Sequence, residues 1–401
     1  MYRESLIGRI TLIAGIVFIA LSLRSPLAAV GPLANAIQQS TALSHGAVGM
    51  ITTLPLLCFG FLSMLTPLFT RRWGIEGALG MSLGLITIGI AVRSLVPVAA
   101  LFGGTLLLGV GIALGNVLLP SLVKRDFPHR KGWMTSLYSS LMGLGAAIAA
   151  GVSVPIAEDL GLGWRYALGI WAVIAVIGII FWIPQLKHHT RPDRSVRIRK
   201  SLKTLGRSRL AWEISLFMGL QSFLFYVVLA WLPEILISQG MNPNEAGWML
   251  SLSQAFGVLG TIILPVYAEK RPDQRGIVWG VCLMELVSIA GFLIPGTTFV
   301  PLWAVLIGFS LGCSFGLALL FMVMRTWDSE TTTGLSGMSQ SVGYLVAAAG
   351  PALFGALHDW FDSWSPPLIL LLVVAALQLL FGLGAGQDKT ISAGSGGEDS
   401  Q

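Results

Sequence analysis

Residues 11–30, TLIAGIVFIALSLRSPLAAV, form a run of twenty residues that contains a single charge, Arg24. A helix of about 20 apolar residues is what the hydrocarbon core of a bilayer requires. The whole chain has the same character, because only 11% of its 401 residues are charged and 54% are hydrophobic. A typical soluble domain has about 25% charged residues. The stretch therefore predicts a membrane-spanning helix, and the composition predicts a membrane protein throughout.

Further apolar stretches of similar length follow, and they predict an all-α membrane protein with twelve transmembrane helices in two sets of six. The expected spans are 10–37, 46–70, 74–95, 98–123, 131–155, 163–184, 210–238, 244–268, 274–296, 300–325, 331–357 and 363–386. The polar segment between the two sets holds nine basic residues and one acid. We therefore expect an N-terminal six-helix bundle at 1–184, a cytoplasmic basic linker at 185–209, a C-terminal bundle at 210–386 and a disordered tail at 387–401.

The basic residues give the expected orientation. With twelve spans, 22 of the 25 Lys and Arg residues fall on one side, while Arg93 and Arg165 lie at the other side and Arg24 lies within the membrane. Basic loops stay in the cytoplasm, so we expect a multi-pass inner-membrane protein with both termini cytoplasmic. These charges form several short loops rather than one groove, which argues against nucleic-acid binding. Because Arg24 interrupts the first apolar stretch, we read that stretch as an uncleaved span rather than a signal peptide.

The two halves of the chain resemble each other weakly. An offset of 200 residues matches Gly143 with Gly343 and Asp159 with Asp359, and an offset of 198 matches Pro67 with Pro265. A parallel repeat of this kind implies two pseudo-symmetric bundles related by an axis along the membrane normal, with a binding site near mid-depth.

Three longer blocks carry a resemblance to a known family: GNVLLPSLVKRDFPHR at 115–130, GWRYAL at 163–168 and LSGMSQSVGYLVAAAGP at 335–351. In these blocks the sequence resembles the major facilitator superfamily and, within it, the cyanate/2-nitroimidazole transporter family. The resemblance implies the major-facilitator fold and a rocker-switch secondary transporter of a small, often anionic or nitro-bearing solute. We expect the lipid bilayer and this solute as partners, a monomer, and no cofactor or metal.

The sequence departs from the superfamily pattern in two places. The loop LFTRRWGIEG at 68–77 keeps Arg71 and Arg72 but lacks the aspartate that usually precedes them. Proton-coupled antiporters often carry RxxQG in the fourth span, where this chain has TLLLG at 105–109. The alternative function is proton-coupled efflux of drugs or metabolites, although the sequence lacks the motif that is typical of proton-coupled antiporters. No His/Asp/Glu cluster, Ser–His pair or phosphate loop supports an enzyme.

Arg24 is the main candidate for binding the solute. It lies about 22 Å along a helix from Arg9 and about 21 Å from Gln38, which places it near the bilayer centre. An arginine there costs about 2.5–3.5 kcal/mol on insertion scales. Nearly all of the 19 acids lie in loops or at helix ends, Glu285 being the deep exception. We therefore expect Arg24 to bind an anionic or nitro-bearing solute, with a structural ion pair or carbonyl bonding as the alternative.

Neutral polar residues within the spans are candidates for orienting the solute. They are Asn116, Tyr138, Gln221, Tyr226, Gln254, Gln340 and Tyr344. An interhelical hydrogen bond is at least as good an interpretation for each. Glu285 is interpreted either as a protonated structural residue or as a proton-coupling site, which would make a co-transported proton a further partner.

Charged residues at cytoplasmic helix ends form a candidate gate. Arg125 and Asp126 occupy a position equivalent to that of Arg325 and Asp328 in the second half, and Arg71 and Arg72 lie on the same side. We expect these residues to form a charge network that holds the inner gate closed. The alternative interpretation is that these charged residues only set the membrane topology and form local ion pairs.

Overall fold

The computed structural model describes residues 6–43, 45–187, 204–294 and 296–391. In these residues the regular structure is helical, apart from one isolated bridge between Thr326 and Ile391. The chain divides into two compact units. The first comprises Met1–Leu122 and Leu137–Ile198, and the second comprises Val123–Ser136 and Arg199–Gln401. Most of the expected basic linker, 188–203, lies outside the described residues.

The described residues of the first half form eight α-helices, some of which are connected by short 3₁₀- or π-helical segments. They are α1 (Leu6–Ala28), α2 (Ala34–Thr41), α3 (His45–Leu62), α4 (Thr66–Arg93), α5 (Val98–Asp126), α6 (Lys131–Val154), α7 (Gly163–Gly169) and α8 (Trp171–Trp182). In the described part of the second half there are six helices of 18 residues or more. They are α9 (Arg209–Ser238), α10 (Pro243–Glu269), α11 (Arg275–Phe292), α12 (Val300–Met324), α13 (Ser329–Phe361) and α14 (Ser365–Ala385).

Among the described residues, eleven helical stretches are long and apolar enough to cross a membrane. One of them, Thr53–Arg93, has 41 residues. At 1.5 Å per residue this is about 60 Å, twice the thickness of the hydrocarbon core. Gly74 interrupts the helix with φ 71° and ψ 176°, a conformation that glycine adopts without strain. The stretch therefore crosses twice, and twelve spans in two sets of six agree with the expectation from the sequence.

The helices of the second unit pack through glycine. A Cβ added to Gly308 would overlap the backbone of Ser253, and one added to Gly312 would overlap the backbone of Gly257. Helices α10 and α12 therefore touch backbone to backbone along one face. Small residues permit this approach, which supplies van der Waals contact where apolar burial provides no driving force in lipid. Helices α9 and α13 also approach closely, since Gly219 lies against Gly343.

In the first unit the helices also pack closely at glycine, and one large side chain, that of Trp182, joins three of them. A Cβ on Gly89 would lie 2.6 Å from the backbone nitrogen of Leu108, so α4 and α5 cross at this glycine. Trp182 of α8 fills the space that Gly15 leaves on α1, and its ring nitrogen donates to the Glu76 carbonyl at 2.9 Å. This indole therefore joins α8 to both α1 and α4.

The beginning of the expected tail packs against the second unit. Ile391 is buried, and its backbone N–H donates to the carbonyl of Arg325 at 2.7 Å. Asp388 lies 3.7 Å from the Arg325 guanidinium. Residues 392–401 lie outside the described part of the chain.

Gly312→Ala should destabilise the second unit, because the added methyl must push α10 and α12 apart. We expect a loss of about 1–3 kcal/mol in the free energy of unfolding, the usual cost of overpacking. Thermal unfolding of the detergent-solubilised protein measures it. Gly84→Ala is the matched control, since a Cβ at this glycine of α4 meets nothing within 4 Å. Equal melting temperatures for the two variants would contradict the prediction.

Candidate functional site

Arg24 lies on a partly exposed stripe of α1. Ile16, Ile19, Ala20 and Leu23 are at most 1% exposed and form the packed face of the helix. Val17, Leu21, Arg24 and Ala28 are partly exposed and recur at spacings of three and four residues. Such residues share one helix face. Arg24 makes an interaction within the structure, which is compatible with the alternative of an ion pair or carbonyl bonding.

The neighbours of Arg24 fix its position against two further helices. A Cβ on Gly115 of α5 would lie 2.5 Å from Leu23, and one on Gly145 of α6 would lie 2.6 Å from the Ser25 hydroxyl. Helices α5 and α6 therefore both approach α1 at the level of Arg24. Asn116, 7% exposed, follows Gly115 directly. Tyr138 is buried on α6, two helical turns before Gly145. The first unit thus places three of the predicted site residues on three neighbouring helices.

A row of polar side chains runs along α13 in the second unit. The Ser339 and Ser215 hydroxyls share a hydrogen bond of 3.0 Å, which ties α13 to α9. Ser336 and Gln340 lie one turn apart and are both buried. Within the described residues, the Ser336 Oγ and the Gln340 Oε1 have no hydrogen-bond partner. Buried polar atoms are rarely left unsatisfied, so these two atoms are candidates for a hydrogen bond to a polar ligand or water. Tyr344 is buried one turn further on.

The remaining neutral candidates of the second unit are less suited to a solute. The Gln221 amide nitrogen donates to the Met218 carbonyl at 3.1 Å and to the Ser222 hydroxyl at 2.6 Å, both within its own helix. Tyr226 is partly exposed, and its ring meets that of Phe225 edge-on with centroids 5.3 Å apart. Gln254 is partly exposed on α10.

Glu285 belongs to a buried cluster that joins three helices. Its Oε1 accepts from the Ser314 hydroxyl of α12 at 2.7 Å and from the Gln378 amide of α14 at 3.2 Å. Its Oε2 is buried and has no partner among the described residues. The sequence did not predict these partners of Glu285, because Ser314 and Gln378 are far from it along the chain. The cluster offers a carboxyl group that can hold a proton away from water.

A second fully buried acid, Glu76, lies just beyond the break at Gly74. The sequence singled out Glu285 alone as deep, because Glu76 stands close to a basic loop. Its burial follows from the helix break, which turns the chain back into the packed unit directly after Gly74.

Arg93 lies at the end of α4, as expected from the sequence, and it is 0% exposed, which the sequence did not predict. Its guanidinium donates to the Pro26 carbonyl at 2.9 Å and to the Leu168 carbonyl at 3.4 Å. The Pro26 carbonyl belongs to the last turn of α1, where the helix dipole favours a cation. Arg93 therefore caps α1 and also ties α4 to α7 through the Leu168 carbonyl.

Arg325 has a similar role in the second unit. Its guanidinium donates to the carbonyls of Ala385 and Gly386 at 3.1 and 3.0 Å, and to the Gln274 side chain. Burial lowers the pKa of Arg325 to about 10, which leaves it charged at neutral pH. Asp328 instead caps α13, accepting from the backbone and hydroxyl of Thr331 at 2.8 and 2.9 Å.

The segment Val123–Ser136 contributes the other predicted gate residues to the second unit. Arg125 forms a two-point ion pair with Asp126 at 2.7 and 2.9 Å. Three other contacts attach the segment: Lys124 donates to the Thr326 carbonyl, Ser136 donates to the Ile262 carbonyl, and the Lys131 N–H donates to Glu269 at 2.6 Å.

The other two predicted gate residues, Arg71 and Arg72, are exposed, and Arg72 lies 5.0 Å from the Trp73 ring centroid.

Comparison with known proteins identifies the family. The profile of the Major Facilitator Superfamily matches residues 10–351. The chain belongs to this superfamily. This chain is 40% identical over 384 residues to the 2-nitroimidazole transporter of Escherichia coli, and the alignment covers 96% of this chain and 97% of that protein. It is 27% identical to the cyanate transport protein CynX of Escherichia coli, covering 86% and 89%. The resemblance stated from the sequence is confirmed.

Solved structures agree on the fold. The proton:xylose symporter XylE, bound to 6-bromo-6-deoxy-D-glucose, matches with a TM-score of 0.76 over 97% of this chain and 98% of that one, at 14% identity. At this identity the match establishes the major-facilitator fold alone. The family and the relatives are transporters. The chain is therefore a multi-pass membrane transporter and not an enzyme.

Proposed function

We propose that the protein is a secondary active transporter that moves a small polar or anionic solute across the inner membrane by alternating access. The solute resembles cyanate or a nitroimidazole, and Arg24 binds it. The proposal includes a monomer with both termini in the cytoplasm, an orientation supported by the 22 basic residues that fall on one side of the twelve spans.

The observation that carries this proposal is the position of Arg24. It stands within the first apolar span, on a partly exposed stripe of α1, and α5, the helix that carries Asn116, approaches α1 at the adjacent residue Leu23. A guanidinium offers up to five donors in a planar fork, which suits a small delocalised anion or a nitro group. The names of the relatives, a nitroimidazole and a cyanate transporter, support the same class of solute.

Arg24→Ala should weaken binding of cyanate and 2-nitroimidazole about tenfold to a hundredfold, because a hydrogen bond to a charged group contributes about 1.5–3 kcal/mol. Arg24→Lys should recover only part of the lost affinity, since lysine keeps the positive charge but lacks the planar set of donors of the guanidinium. Ligand-dependent thermal stabilisation of the purified protein measures both. Arg9→Ala is the matched control, an exposed arginine on the same helix. A ligand that stabilises wild type and Arg24→Ala equally would place the site elsewhere.

We further propose that transport is coupled to protons at Glu285. An anion entering a cell whose interior is negative works against about 2.3 kcal/mol per charge for each 100 mV, so its accumulation requires a driving ion. Glu285 is a fully buried acid with one oxygen unsatisfied among the described residues. The alternative role is structural, in which a permanently protonated Glu285 only holds α11, α12 and α14 together.

Glu285→Gln separates these two roles, because glutamine can keep the hydrogen bonds of the cluster and cannot carry the proton. We expect the variant in proteoliposomes to exchange labelled solute across the membrane and to lose accumulation driven by a pH gradient. Glu234→Gln, which alters an exposed acid of α9, is the control. Accumulation at the wild-type level in Glu285→Gln would show that the role is structural.

We propose that the attachment of residues 123–136 to the second unit is the inner gate and opens once in each transport cycle. The contact between Glu269 and the Lys131 N–H supports this, because it places a carboxylate at the positive N-terminus of α6. In this proposal the helix ends at the contact are shaped by Arg125, Asp126, Arg325 and Asp328. Arg71 and Arg72 belong to the gate because they fall on the same side of the predicted spans.

Glu269→Ala should loosen this gate. The variant loses a charge-assisted hydrogen bond, so backbone amides of 123–136 should exchange with deuterium several-fold faster than in wild type. Hydrogen–deuterium exchange with mass spectrometry measures the effect. Glu245→Ala, at the opposite end of α10, should leave the segment unchanged. Unchanged exchange of 123–136 in Glu269→Ala would rule out this contact as part of the gate.

A further inference from the structure

A groove of about 610 Å³ lies between α10 and α11 in the second unit. Both helices pack against α12, so the groove lies over the side of that helix. Its mouth is formed by Tyr267, Arg271, Asp273 and Arg275, around the short turn between the two helices. None of these residues belongs to the proposed solute site, to the proton site or to the gate.

Two glycines of α11 keep the groove open. Gly276 and Gly280 line it one turn apart, and a Cβ built on either meets nothing within 4 Å. Deeper in, the walls are apolar and include Leu264 and Met284. From Arg275 to Met284 the groove follows about 14 Å of helix. This is close to half of the roughly 30 Å hydrocarbon core, the depth of one leaflet.

The mouth carries one positive charge that no acid of the described chain neutralises. Arg275 is paired with Asp273 at 2.6 Å, and the hydrogen bond from the Arg275 side chain lowers the pKa of Asp273 and keeps it ionised. Arg271 is exposed and has no carboxylate partner among the described residues; its guanidinium lies 5.2 Å from the Tyr267 ring centroid. An anion at the mouth would therefore meet Arg271.

The surroundings of the groove indicate where its occupant comes from. Ile263, Trp279 and Leu283 flank it and are 53%, 51% and 46% exposed. In a membrane protein, large apolar side chains exposed over a long helix face contact lipid. The groove thus opens sideways towards acyl chains, and its charged end lies at the level where headgroups begin.

We propose that this groove binds an anionic phospholipid of the adjacent leaflet. One acyl chain lies along the glycine face of α11, and the phosphate lies against Arg271. A basic residue near the membrane surface favours an anionic lipid by about 1 kcal/mol, or roughly fivefold in affinity. A zwitterionic lipid gains less, because its own cation competes with Arg271 for the phosphate. The proposal is independent of the solute and of the direction of transport.

Native mass spectrometry of the full detergent-solubilised chain, titrated with phosphatidylglycerol or phosphatidylcholine, tests this site. We expect wild type to retain one phosphatidylglycerol more tightly than any phosphatidylcholine. Gly280→Leu should abolish this binding by filling the groove. Arg271→Gln should weaken it about fivefold and reduce the preference for phosphatidylglycerol. Inorganic phosphate alone at millimolar concentration should not displace the lipid.

Matched controls make the result specific. Gly84→Leu also fills an open helical position, and Arg72→Gln removes an exposed arginine that lies over a tryptophan ring. Both should bind as wild type does. If Gly280→Leu fails to fold, Gly276→Leu replaces it. Wild-type binding in the glycine variant, equal affinity for both lipids, or displacement by phosphate alone would each overturn the proposal.

Discussion

Close contact between backbones at glycine is the interaction on which both units depend. Lipid chains solvate apolar side chains as well as a neighbouring helix does, so burial alone does not hold the helices together. The crossings at Gly89 in the first unit and at Gly308 and Gly312 in the second bring main chains within van der Waals reach. Such proximity also lets Thr261 reach the carbonyls of Gly257 and Gly312 at 2.8 and 3.3 Å, so a hydroxyl reinforces the crossing.

The same environment decides where charge is tolerated. Arg93 and Arg325 are fully buried, and each binds carbonyl oxygens at the C-terminal end of a helix. Those oxygens lack partners within their own helix and carry the negative end of its dipole. The structural arginines are thus held at helix ends. Glu285 stands in the middle of α11 instead, where no free helix end is available to compensate a charge, whereas Arg24 lies one turn before the C-terminal end of α1.

The sequence predicted the features that follow from hydropathy and local pattern. It predicted the spans, including the two within Thr53–Arg93, and the family. It did not predict the burial of Arg93 and Glu76, or the partners of Glu285, because these depend on which helix faces meet. Hydropathy cannot distinguish a packed face from a lipid-facing one when both are apolar. For the same reason Gln221 and Gln340 looked alike in sequence, although only Gln340 has an amide oxygen unsatisfied among the described residues.

The turn between α10 and α11 has two neighbours that are unrelated in sequence. On one side Arg325 binds the Gln274 side chain and lies 3.4 Å from the Pro272 carbonyl, and the same arginine holds Gly386 and Asp388 near the end of the chain. On the other side Asp273 and Arg275 border the lateral groove. The C-terminal segment and the lateral groove therefore meet at the same five-residue turn, 270–274, so a displacement of either one would act on the same stretch of backbone.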